Sequence, residues 1–116
     1  IFVDGLAPTM RVVGEEIEIS TIDELGYKLT HADFSSEKGL VALFKSLLAE
    51  NIGSVLVEGG ATWLKTLIKV GLWDEARVFT SDKCFERGIK SPVLKSSQLV
   101  GKESIRGDLL SIYIKV

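Results

Sequence analysis

Five consecutive residues, Glu58-Gly59-Gly60-Ala61-Thr62, bring a carboxylate, two residues without side chains and a hydroxyl to the point where an apolar run gives way to a helical pattern. Glycines free the main chain to take dihedrals closed to other residues, and they leave room for a ligand to touch it. The amides of Gly60, Ala61 and Thr62 would then be unpaired donors at the positive end of a helix, an arrangement that attracts phosphate oxygens. The same spacing also makes a strand-to-helix turn without chemistry, and it is neither Gly-x-Gly-x-x-Gly nor a Walker loop. Glu58 bears on that choice, because a carboxylate closing a buried strand needs a partner or a cleft. Open α/β sheets bind ligands at that edge, whereas an ion pair with a neighbouring Lys or Arg would satisfy Glu58 with no ligand at all.

The other chemistry-bearing residues are scattered. His31 lies in a polar stretch and reads as a surface or hydrogen-bonded histidine. Cys84 has Lys83 and Arg87 nearby, which would lower its pKa, but no base beside it in sequence, so it reads as a free, partly buried thiol. Asp74 and Glu75 are adjacent as the chain leaves a turn and rarely converge on one proton; they read as capping or orienting that turn. Trp73 and Phe79 read as core or interface.

Elements must position these groups. Residues 9–13 read as a strand ended by Gly14, and Ile17 and Ile19 alternate with Glu16 and Glu18 as a half-exposed strand would. Residues 23–26 read as a connection or one helical turn and 27–30 as a further short strand. Leu40, Leu43, Phe44, Leu47 and Leu48 recur at three and four residues, so they line one face of a helix. Ser35 or Ser36 caps its start, Glu37 favours its positive end, and Asn51 with Gly53 stops it. Residues 54–57, Ser-Val-Leu-Val, lack polar alternation and suit a strand covered on both faces. A second helix is expected over 61–70 with Leu64, Leu67 and Ile68 inward, closed by Gly71, and a strand over 75–80. Residues 81–91 read as a polar loop, 92–94 as extended, and 95–107 as connection with one or two short strand-like pieces. Leu110, Ile112, Ile114 and Val116 alternate with polar neighbours as a closing antiparallel strand with one buried face.

The totals bound what remains. At 116 residues the chain is one domain or a piece of one, and 46% hydrophobic content makes it globular. Fourteen Lys and Arg against sixteen Asp and Glu give a charge of −2 with no basic footprint, so nucleic-acid binding is not expected. One Cys and one His cannot build a Cys/His zinc site or an intramolecular disulfide, and a cytoplasmic setting is expected. No apolar run approaches the roughly 20 residues that span a bilayer.

Val55-Leu-Val-Glu-Gly-Gly-Ala-Thr62, followed by Gly71-Leu-Trp-Asp-Glu75 and Arg77-Val-Phe79, resembles the reductase domain of the bifunctional riboflavin-biosynthesis deaminase/reductase. The resemblance runs best through residues 40–94. It implies an α/β, dihydrofolate-reductase-like mixed sheet flanked by helices, with residues 1–116 as the C-terminal part of that reductase domain, incomplete on its N-terminal side. It also implies NADPH-dependent reduction of 5-amino-6-(5-phosphoribosylamino)uracil to the ribityl form, in a homodimer. Gly59, Gly60, Ala61, Thr62 and Trp63 would lie along the cofactor phosphates and Glu58 would face the substrate or the nicotinamide region, with no catalytic nucleophile. The related fold often carries a cis peptide between the two glycines. Trp63 stands where the family has an aliphatic residue, and 80–83, Thr-Ser-Asp-Lys, replaces its more usual Ala-Pro-Lys. The family's first reductase strands and its zinc-binding deaminase domain have no counterpart here, so the piece alone is expected to be inactive. Dihydrofolate reductase, another member of the fold, and a non-catalytic dimerising fragment are the competing readings.

Overall fold

In the computed structural model, residues 9–14, 16, 28–84 and 86–116 are described. The chain divides into two compact units, Ile1–Val55 and Leu56–Val116. In the first, strand β1 (Met10–Gly14) pairs in parallel with β2 (Lys28–Ala32), from Met10 opposite Lys28 to Gly14 opposite Ala32. Both strands fall close to where the sequence places them. The strand expected around Ile17 and Ile19 and the connection at 23–26 lie outside the described residues.

Helix α1 (Glu37–Ala49) packs on β2, and Leu40 and Leu43 are buried, as are Val13 and Ala32 of the strands. Leu48, the last member of the predicted apolar face, is 63% exposed. At about 100° per residue it lies roughly 80° around the helix from Leu40, on the rim of the stripe. The helix ends as expected at Asn51, which takes a left-handed conformation with φ 63°. The amides of Asn51 and Ile52 fold back onto the carbonyls of Leu48 and Leu47, and this satisfies two acceptors that a helix end otherwise leaves open.

The second unit begins with helix α2 (Ala61–Val70), whose Leu67 is buried. Gly71, at φ 71°, closes it by the same device, with the Gly71 and Leu72 amides on the carbonyls of Ile68 and Leu67. Strands β3 (Glu75–Thr80), β4 (Ser97–Ile105) and β5 (Asp108–Lys115) form an antiparallel sheet in the order β3-β5-β4. β4 and β5 are joined through Arg106 and Gly107, at φ 50° and 97°. Two consecutive positive φ values match the turn whose twist suits a hairpin. Val100 is an extra residue in β4, between Leu99 opposite Tyr113 and Gly101 opposite Ile112.

Three expectations are corrected. Residues 54–57 form no strand: Val55 is 46% and Leu56 82% exposed. A strand exists only with a ladder partner, and no described strand pairs with this run. The stretch 95–107 is mostly the nine-residue β4 rather than connection. In β5, Leu110 and Ser111 are both buried while Ile114 is exposed, so burial does not follow a single face. β5 is the central strand, and consecutive residues on it point to opposite faces.

Candidate functional site

Gly60 immediately precedes the first turn of α2 in extended backbone, φ −64° and ψ 159°, and gives the helix no side-chain cap. Its carbonyl accepts the Leu64 amide at 3.2 Å, so the helix is closed from the second turn onward. Nothing acidic stands in the first turn. The amides of Ala61 and Thr62 therefore point out of a positive helix end with no acceptor among the described residues.

The two glycines do different work. A Cβ on Gly59 would meet the Trp63 ring, 2.9 Å from Cδ1, so glycine there is demanded by packing. That contact also accommodates an indole where an aliphatic residue was expected. A Cβ on Gly60 would meet nothing within 4 Å. Neither glycine takes a positive φ, and no cis peptide occurs among the described residues, so the 59–60 bond is trans. The unusual dihedrals and the cis bond expected at this turn are thus corrected. Gly60 sits in a conformation open to any residue, and what its missing side chain leaves is open space in front of the helix.

Glu58 is exposed and makes no hydrogen bond or ion pair among the described residues. Exposed in this way, Glu58 carries no desolvation penalty for a partner or cleft to offset, because the run before it is not a buried strand. The structure places Glu58 on the same short approach to α2 as the glycines, with Thr62 exposed beyond them.

The remaining candidates disperse. His31 is exposed on β2, in register with Val13. Cys84 is free and exposed, not partly buried. The Glu75 carboxylate accepts from Arg77 Nε at 2.7 Å within β3, and the Asp74 carbonyl accepts the Lys115 amide at 3.0 Å, so Asp74 ties the turn to β5 through its main chain. Phe79 is 61% exposed rather than core. Among the described residues no three His, Cys, Asp or Glu side chains gather where they could hold a metal ion. No described helix is long and apolar enough to cross a membrane.

Sequence reasoning passed over four lysines of the second unit. Lys65, Lys69, Lys95 and Lys115 line one concavity beside the half-buried Trp73. The i, i+4 spacing of Lys65 and Lys69 was the available signal.

Among the described residues, helices α1 and α2 with parallel and antiparallel strand pairs define an α/β chain, and its fold is dihydrofolate-reductase-like. A solved structure with this fold is that of a pyrimidine reductase-like protein from Corynebacterium diphtheriae. It aligns with a TM-score of 0.73 at 15% sequence identity, over 92% of this chain and 50% of that one. The chain thus spans about half the length of the protein it matches. The family model of the RibD C-terminal domain matches residues 1–85, and the chain belongs to that family of riboflavin-pathway reductase domains. A search of curated proteins found no match.

Proposed function

We propose that this chain supplies the nicotinamide-cofactor phosphate site of a reductase, the cofactor being NADPH and the substrate 5-amino-6-(5-phosphoribosylamino)uracil, which is reduced to its ribityl form. The observation that carries this reading is Gly60: neither its dihedrals nor its neighbours require glycine, yet glycine there leaves a helix start uncapped and approachable. Family membership gives that opening a ligand class, since reductase domains of this kind use a nicotinamide cofactor. The residues present fit a phosphate group, with two unpaired amides, no nearby acid in the first turn, and an exposed Thr62 hydroxyl.

When bound, the cofactor supplies the hydride. The protein's part is placement. The amides of Gly60, Ala61 and Thr62 hold the phosphates, Trp63 backs the approach by packing on Gly59, and Glu58 stands at its edge toward the substrate. The matched structure is described as pyrimidine reductase-like, which supports a pyrimidine substrate over a pterin. Turnover belongs to the whole parent protein, a cytoplasmic homodimer in this reading.

The test is an amide-resolved NMR titration of the chain with NADPH. Shifts at Gly60, Ala61 and Thr62 are expected, as is a loss of affinity in the parent enzyme carrying Gly60→Val. Unmoved amides at millimolar NADPH, together with unchanged affinity in that variant, would remove the assignment.

A further inference from the structure

The second unit holds a concavity of about 600 Å³ near the C-terminal end of α2, within the usual range for small-molecule sites. Four ammonium-bearing side chains line it together with Val116, and no Asp or Glu side chain does. Two of the four are accounted for by the fold. Lys115 Nζ donates to the Gly71 carbonyl at 2.7 Å, and Lys69 occupies the last turn of α2, where the negative helix end favours a cation.

Lys65 and Lys95 have no such role. Neither makes a hydrogen bond or ion pair among the described residues, and Lys65 repels Lys69 one turn along the helix. An arrangement of like charges around one hollow is relieved by an anion. Much of the remaining wall is apolar or aromatic: the half-buried Trp73, Ile68 and Val93 line it, with Ser96 adding a hydroxyl. A ligand matching both features carries phosphates on a planar ring.

We infer that this concavity binds a phosphorylated aromatic small molecule of the nucleotide class, with its phosphates between Lys65 and Lys95 and its ring against Trp73. The site is distinct from the start of α2, at the opposite end of that helix, and does not depend on the reading given to Gly60.

ADP, inorganic pyrophosphate and adenosine are titrated separately into the ¹⁵N-labelled chain. ADP is expected to shift the Trp73 indole N–H and the Ser96 amide, pyrophosphate the Ser96 amide, and adenosine neither. Affinity for ADP should weaken roughly fivefold or more in Lys65→Gln/Lys95→Gln, two exposed changes that leave the fold intact, and should fall with added salt. The inference is overturned by unmoved Trp73 and Ser96 signals at millimolar ADP, by equal affinity in the double variant, or by adenosine binding as well as ADP. Shifts confined to Gly60, Ala61 and Thr62 would also overturn it while supporting the cofactor site, so the two readings fail separately.

Discussion

Helices α1 and α2 close their C-terminal ends in the same way and open their N-terminal ends in opposite ways. At the start of α1 the Ser36 hydroxyl accepts the Gly39 amide at 3.0 Å and itself donates to Asp33 Oδ2. Asp33 also accepts from the Ser35 amide and hydroxyl, and Glu37 places a further negative charge in the first turn. The loop is folded down so tightly that a Cβ on Gly39 would run into the Asp33 carbonyl. At the start of α2 there is no capping side chain and no acid in the first turn, Glu58 on the approach makes no hydrogen bond or ion pair with it, and a Cβ on Gly60 would meet nothing within 4 Å. One helix end is satisfied from within the chain, and the other keeps its donors for something outside it.

That contrast can be broken at several points. The largest effect is expected from alanine placed at the two glycines. Gly39→Ala should destabilise by about 1–3 kcal/mol through overpacking against Asp33, whereas Gly60→Ala should stay within about 0.5 kcal/mol, as read by urea midpoints. Equal losses would mean that Gly60 is structural after all. Moving the cap comes next. Ser36→Ala should cost about 1 kcal/mol, and Gly60→Asp should gain a few tenths in thermal stability while weakening NADPH binding by charge repulsion. An Asp at 60 that left NADPH affinity untouched would place the phosphate elsewhere.

The smallest effect is a pH dependence. Hydrogen bonds from the Ser35 hydroxyl, then the Ser36 hydroxyl, then the Ser35 amide lower the Asp33 pKa from 3.8 to about 2. A carboxylate with a depressed folded pKa contributes stability that is complete above 3.8 and is lost as pH falls toward 2. The melting temperatures of the native chain and Asp33→Asn should therefore converge across that window. A constant difference from neutral pH down to pH 2 would show that Asp33 acts through packing rather than charge.

Much of this was readable in residue types. Ser36, Glu37, Asn51 and Gly71 announce helix ends by local chemistry, and both helices fall where those signals put them. The glycine pair marked the candidate site for one of the two reasons expected, since open space and not unusual dihedrals distinguishes Gly60. Strands were harder, because a strand depends on a partner distant in sequence. Residues 54–57 have strand composition but no described partner, while β4 has an Arg-Gly turn in place of the Asn-Gly or Asp-Gly that signals a hairpin. The lysine concavity was hard to read for a similar reason: beyond the i, i+4 pair Lys65 and Lys69, Lys95 and Lys115 join it only through the fold.

Val100 explains the rest of the difficulty with β4. Ahead of it, odd-numbered Ser97 and Leu99 share a sheet face, and beyond it even-numbered Lys102 and Ser104 continue that same face, opposite Lys115, Tyr113, Ser111 and Leu109 in turn. The strand thus changes parity at one residue, and a period-2 count taken across all nine positions cancels itself. The same arithmetic makes Val100 the position in β4 whose deletion preserves every cross-strand pairing. Removing Lys102 instead would turn the residues on one side of the gap to the opposite face.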